Sequence, residues 1–291
     1  MKKSEKKIVW LASYPKSGNT WFRVFLTNLL QDAEEPASIN KLSGGPIASS
    51  RQLFDQATGL DSSDLTEEEI SRLRPEVFRH INKKASTITF HKIHEAFVTL
   101  ANGQYLVPPE VTRGAIYFIR NPLDVAVSLA HHNNTSIDKA IAQMNNNAYA
   151  FCSNKKKLHV QLKQPLYNWS NHVKSWLDCT FVKVKVITYE DMHTKTFEVF
   201  KRAITFAGLN HTDEQVKKAI EHARFEELKK QETSDGFKEK SPGAASFFRE
   251  GKKGHWKTVL TREQVEKILD THREVMRRFN YIDDNGRVVE F

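Results

Sequence analysis

The 291-residue sequence predicts an α/β fold: a single domain with a central parallel sheet flanked by helices. Three observations carry this expectation. Apolar runs of strand length alternate with segments whose apolar residues recur at helical spacing. The first run passes through one tight polar turn straight into a helix. Helix-start signals of the Asn-Pro and Thr-x-x-Gln type fall where the periodicity changes.

The first strand is expected over residues 7–13, where Ile8-Val9-Trp10-Leu11-Ala12 is continuously apolar, as in a strand buried on both faces. A helix follows over 19–31. Residues 33–65 are polar, rich in Ser, Gly and Pro, and weakly periodic; they read as a loop with short helices. Strands are predicted at 86–91 and 114–120. The helix over 122–131 opens with Asn121 as cap and Pro122 at its first position. Next come a helix over 164–177, a strand over 181–189, and helices over 194–207 and 264–279. Thr212-x-x-Gln215 and Thr261-x-x-Gln264 have the form of capping boxes. Residues 231–257 form a second long irregular segment, of the kind that serves as a lid or binding loop.

Composition narrows the function classes. A hydrophobic content of 39% supports a packed core, and 44 Lys and Arg against 35 Asp and Glu leave a net charge of +9. That balance suits an anionic partner: nucleic acid, an anionic surface or a polyphosphate. The densest basic run, Lys155-Lys156-Lys157, reads as a solvated loop. Two cysteines, Cys152 and Cys179, do not make a disulfide scaffold, and metal-ligand spacing is missing. The basic start lacks the apolar stretch of a signal peptide, and no run approaches membrane-spanning length, so a cytoplasmic protein is expected.

The turn after the first strand reads Tyr14-Pro15-Lys16-Ser17-Gly18-Asn19-Thr20-Trp21. Free N–H groups at a helix start and the positive end of its dipole favour a bound phosphate. Gly18 allows close backbone approach and Lys16 adds a point charge. The ATP/GTP loop Gly-x-x-x-x-Gly-Lys-Ser/Thr is not found, which counts against a P-loop kinase. Trp21 suggests a flat base stacked on an indole; the alternative is a core Trp beside a surface turn.

Two further segments carry the same chemistry. The predicted strand at 114–120 ends at Arg120, where parallel sheets bind ligands, and Ser128 follows two helical turns on. Arg120 could grip a phosphate or pair with Asp124. Near the C-terminus stands Phe247-Phe248-Arg249-Glu250-Gly251-Lys252-Lys253-Gly254-His255-Trp256. By itself this could be a flexible basic loop.

Together these residues resemble the cytosolic-type sulfotransferases that use 3'-phosphoadenosine 5'-phosphosulfate (PAPS), in a form closer to bacterial members than to animal ones. Residues 14–21 match the family's Tyr-Pro-Lys-Ser-Gly-Thr-Thr-Trp with Asn19 as the one departure. Arg120, Asn121, Pro122, Asp124 and Ser128 match Arg-Asn-Pro-x-Asp-x-x-x-Ser, and 247–256 matches Phe-x-Arg-x-Gly-x-x-Gly-x-Trp. The resemblance implies a P-loop-like sulfotransferase fold. It also implies a nucleotide site made of Lys16, Ser17, Gly18, Asn19, Thr20 and Trp21. Arg120, Ser128, Arg249, Glu250 and Gly251 would lie around the 3'-phosphate. Glu250 and His255 stand where Lys and Asp are usual. Tyr189 and Phe225 match residues that contact adenine, although either could be core, and Ala223 replaces the usual Thr or Ser.

The triplet Lys92-Ile93-His94 matches the family's Lys-x-His. By that match His94 is the general base, and Lys16 and Lys92 are catalytic cations. Strand alternation turns His91 away from Lys92. The expected reaction moves the sulfo group of PAPS to a hydroxyl or amine of a small polar metabolite, without a metal, and releases adenosine 3',5'-bisphosphate (PAP). A glycan or a protein tyrosine is the alternative acceptor. The acceptor pocket is expected to draw on 33–65, the loop after His94, 131–147 and 231–246. The expected partner is a small molecule, not nucleic acid or a membrane; a homodimer is compatible.

Overall fold

The computed structural model describes residues 5–154, 156–241, 243–249 and 251–289. In chain order the elements are β1 (Ile8–Ser13), α1 (Asn19–Gln31), α2 (Arg51–Thr58), α3 (Glu67–Lys84), β2 (Thr89–Ile93) and β3 (Thr112–Ile119). Then come α4 (Pro122–His132), α5 (Ile137–Asn145), the short β4 (Ala150–Phe151) and β5 (Gln164–Pro165), and α6 (Trp169–Leu177). The chain ends through β6 (Val184–Thr188), α7 (Tyr189–Thr194), α8 (Thr196–Ala207), α9 (Asp213–Glu221), α10 (Phe225–Asp235), α11 (Trp256–Val259) and α12 (Arg262–Arg278).

Helices follow β1, β3 and β6 as expected, whereas β2 runs to β3 through a loop, and the four main strands form one sheet in the order β2-β1-β3-β6. β1 and β2 run parallel, with Leu11 opposite Lys92 and Ala12 opposite Ile93. The whole of β1 is buried, which explains its continuous apolar run.

The chain divides into two compact units. The first runs up to Tyr14 and includes Gly44–Tyr117 and Asn147–Val186. Its core joins Trp10 to Phe78 edge-on at 4.8 Å, and the Trp10 indole donates to the Thr112 hydroxyl. Arg74 and Glu95 form a buried ion pair. The second unit holds Pro15–Ser43, Phe118–Asn146 and Ile187 onward. There Phe22 of α1 packs on Phe118 and on Phe200 of α8, and Phe25 of α1 on Phe22 and Phe200, with ring centroids 4.5–5.5 Å apart.

The cap signals act as read. Asn121 accepts from Leu123 N–H with Pro122 next in line, and Thr212 and Thr261 form reciprocal capping boxes with Gln215 and Gln264. Thr66 and Glu69 make another. Most boundaries shift by a few residues, the strand predicted at 86–91 lying at Thr89–Ile93, and two shifts have a visible cause. The helix predicted from residue 164 begins at Trp169, because Tyr167 adopts φ 59° and Asn168 caps the helix behind it. The strand predicted through residue 189 stops at Thr188, whose hydroxyl accepts from Asp191 N–H and starts α7.

Candidate active site

The turn after β1 is built for close approach to its neighbours. Lys16 and Gly18 both lie in the left-handed region, at φ 70° and 97°. Gly18 is the N-cap of α1 and, having no side chain, leaves the positive end of that helix open. A Cβ on Gly18 would sit 2.7 Å from the Tyr189 ring, so space and dihedral both demand glycine. The Ser17 hydroxyl is buried and meets no hydrogen-bond partner among the described residues.

Arg120 leaves the end of β3 and ties the three motif segments together. Its Nη1 donates to the Lys16 carbonyl oxygen at 3.3 Å and its Nη2 to the Lys252 carbonyl oxygen at 3.0 Å. The guanidinium lies 4.2 Å above the Tyr189 ring. Asp124 stands 4.0 Å from Arg120, at the limit of an ion pair. Its two oxygens instead accept from Gly254 N–H at 2.7 Å and Trp256 N–H at 3.1 Å. The Arg120–Asp124 pairing considered from sequence is therefore the lesser bond, and Asp124 serves the C-terminal segment.

That segment folds back onto the same place. Lys16 Nζ lies 4.0 Å over the Phe247 ring. Arg249 donates to His131 Nε2 at 2.6 Å and to His255 Nδ1 at 2.8 Å. Lys16, Ser128, His131, Phe247 and Arg249 line one cavity. Gly251 adopts φ 60°, and a Cβ there would sit 2.5 Å from the Phe225 ring. Phe225 is the first residue of α10 and half-buried. Glu250, singled out from sequence, lies outside the described residues, as does Lys155.

The aromatic residues cluster beside this cradle. Trp21 packs against His193 at 4.8 Å and Phe200 at 5.7 Å, with Tyr189 at 6.2 Å. Tyr189 is 7% exposed, with its ring between Gly18 and Arg120. Burial raises its hydroxyl above the ordinary range. Burial, then the positive charge of Arg120 and Lys253, lowers His193 to about 4.

Lys92 and His94 belong to the first unit. Lys92 sits in β2, its N–H donating to the Gly44 carbonyl and its carbonyl accepting from Ala48 N–H. His94 follows the strand directly. Its Nδ1 lies 3.0 Å from the Ser13 carbonyl oxygen and 3.2 Å from the Ser13 hydroxyl. A carbonyl only accepts, so Nδ1 carries the ring proton and the basic lone pair falls on Nε2.

Helix α6 pins the segment around His94. His172 Nε2 donates to the His94 carbonyl at 2.9 Å, and Trp176 Nε1 to the Glu95 carbonyl at 2.9 Å. Ser175 Oγ accepts from Phe97 N–H at 3.0 Å. His172 receives the Tyr117 hydroxyl on Nδ1 at 2.8 Å, and burial lowers it to about 4, so it stays neutral. Sequence reasoning missed His172; its only local signal was a place between Trp169 and Trp176 on one helix. His91 points to the core beside Trp10, and burial lowers it to about 4.

Comparison with known proteins gives one consistent result. A family model described as the sulfotransferase domain matches residues 6–280. Luciferin sulfotransferase of Photinus pyralis is 24% identical over 274 residues, which cover 89% of this chain and 68% of that protein. Sulfotransferase 1A1 of Canis lupus familiaris is 24% identical over 265 residues, covering 89% and 79%. Among solved structures, mouse sulfotransferase SULT7A1 complexed with PAP has a TM-score of 0.59 at 19% identity, covering 97% of this chain and 87% of that one. Retinol dehydratase in a complex with retinol and PAP has a TM-score of 0.61 at 18% identity, covering 94% and 82%.

Proposed function

The chain belongs to the sulfotransferase domain family, and from that premise we propose that it moves the sulfo group of PAPS to a hydroxyl or amine of a small polar acceptor, the two units acting as one domain. One observation carries the reading of the nucleotide site. The Arg120 guanidinium bonds the main chain at both Lys16 and Lys252, so one side chain joins three segments far apart in sequence.

The residues fit a doubly phosphorylated nucleotide. Arg120, Arg249, Lys16 and the Ser128 hydroxyl are suited to phosphate oxygens, Arg by its planar fork and Lys as a point charge. The buried Ser17 hydroxyl, which meets no partner among the described residues, supports a ligand at the turn, and the glycines at 18 and 251 let Tyr189 and Phe225 close against the backbone beside it. Trp21 and Phe225 are read as the faces for adenine, with Tyr189 beside them.

In sulfuryl transfer the bond between sulfur and the 5'-phosphate oxygen breaks, and one to the acceptor oxygen or nitrogen forms. Lys16 neutralises the charge that builds on the leaving phosphate, and Lys92 is read as a second cation. His94 Nε2 takes the acceptor's proton. The tautomer that its bond to Ser13 selects supports this role. The segments expected around the acceptor hold Asn, Ser and acidic residues and few long apolar runs, which supports a polar acceptor.

Calorimetric titration with PAP, AMP and ATP tests the nucleotide site. Tight binding of PAP with weak binding of AMP and ATP is expected; equal binding of all three, or of none, sinks the reading. Incubation with PAPS and a fractionated metabolite extract, read by mass spectrometry for the gain of one sulfo group, then identifies the acceptor.

A further inference from the structure

We propose that His131 is a further ligand of the nucleotide's 3'-phosphate, and that His255 is the positioning residue that holds Arg249 for it. The inference rests on the nucleotide site proposed above and adds two residues to it.

Asp124, Ser128 and His131 stand at i, i+4 and i+7 of α4, so they share one face of the helix. Each meets the C-terminal motif or its cavity. Asp124 fixes the N–H groups of Gly254 and Trp256 and thereby the placement of His255 between them. Ser128 and His131 line the cavity with Lys16 and Arg249.

Arg249 shows where an anion would sit. A guanidinium has only donors, so both ring nitrogens facing it, His131 Nε2 and His255 Nδ1, must present lone pairs. Two imidazoles thus stand where a carboxylate could have neutralised the charge. An imidazole lone pair brings no carboxylate to the guanidinium, which keeps its preference for a phosphate. A phosphate oxygen on Arg249 Nη1 comes within reach of His131 Nε2, because the two nitrogens are 2.6 Å apart. The phosphate oxygen takes the place of His131 Nε2 as acceptor of the Nη1 hydrogen, and the His131 ring, its proton moved from Nδ1 to Nε2, turns to donate to the same oxygen. His255 keeps its bond to Nη2 and holds the guanidinium in plane.

The test measures affinity for PAP and for AMP, which lacks the 3'-phosphate, in the wild type, His131→Ala and His131→Gln. His131 is exposed at the end of α4, so neither change disturbs the core. His131→Ala should weaken PAP binding by about tenfold, the worth of one charge-assisted hydrogen bond, and leave AMP within twofold. His131→Gln, which offers an amide N–H near the Nε2 position, should recover most of the loss. Unchanged PAP affinity in His131→Ala overturns the proposal, and so does an equal loss for both nucleotides. Failure of the nucleotide site itself would appear earlier and separately, as a wild type that does not prefer PAP to AMP.

Discussion

The carbonyl oxygen of Ser13 lies 3.0 Å from Nδ1 of His94 and fixes which nitrogen of that ring is basic. The bond uses the main chain of the last residue of β1, so no side-chain substitution at residue 13 removes it. Nitrogen-15 spectra of the imidazoles should show His94 protonated on Nδ1. Ser13→Ala should keep that tautomer and most of the turnover. His94→Ala should lower turnover by about 10²–10⁴-fold, the usual worth of a general base, with PAP affinity unchanged. Turnover close to wild type in His94→Ala would move the base elsewhere.

Lys16 combines charge with an unfavourable backbone, φ 70°. Lys16→Gly removes the ammonium and relieves the left-handed conformation at once. Transfer should be lost and PAP affinity should fall, while the melting temperature holds or rises. A melting temperature well below wild type would show that the Lys16 side chain supports the fold.

Gly18 and Gly251 are bound more by their neighbours than by their own flexibility. An alanine Cβ would approach Tyr189 to 2.7 Å at the first and Phe225 to 2.5 Å at the second. Gly18→Ala should cost about 1–3 kcal/mol, as overpacking and strain usually do, read as a drop in melting temperature. Gly251→Ala should act more on PAP affinity than on stability, because Phe225 is half-buried and its ring can yield.

Much of this site is legible in sequence because its motifs are local. Strand, turn, glycine and helix start follow one another within 7–31, and the Asn121-Pro122 start places Arg120 just before a helix. The missed residues depend on distant partners. Nothing near His172 announces the Tyr117 hydroxyl or the His94 carbonyl, and nothing near His131 announces Arg249. The misplaced start of α6 has a different cause. Residues 164–168 fit helical spacing, yet Tyr167 takes a left-handed turn that the apolar pattern does not encode. The end of β6 was readable, since Thr188-x-x-Asp191 is a helix-start pattern, but the apolar run hid it.

Buried histidines set the acid limit of stability. Burial lowers His91 and His172 to about 4, against an ordinary value of 6.5. In the unfolded chain they take up protons below about pH 6.5, whereas the folded protein keeps them neutral to about pH 4. Their contribution is therefore complete above pH 6.5 and declines between 6.5 and 4, by about 1.4 kcal/mol per pH unit for each group. Urea unfolding at pH 7.5 and 5.5 measures the decline. The His91 ring nitrogens meet no partner among the described residues, so His91→Leu should remove one group's share of the decline, about 1.4 kcal/mol per pH unit, without loss of stability at pH 7.5. An unchanged slope in that variant would place the acid sensitivity in other groups.

Asp124 offers a way to disturb the nucleotide site without touching a phosphate-binding group. Its carboxylate oxygens hold the N–H groups of Gly254 and Trp256, and that segment carries Arg249, Gly251 and Lys252. Asp124→Asn keeps one acceptor oxygen and loses the other. The segment should loosen, PAP affinity should fall by about tenfold, and AMP affinity should change less, because the 3'-phosphate groups lie on the loosened segment. Arg120→Ala should instead abolish the preference for PAP over AMP, since it removes a phosphate donor and the bonds to Lys16 and Lys252 together. Hydrogen exchange separates the two cases. Asp124→Asn should raise exchange at 251–256 and spare 14–18, whereas Arg120→Ala should raise both; equal patterns in the two variants would show that Arg120 does not bridge the segments in solution.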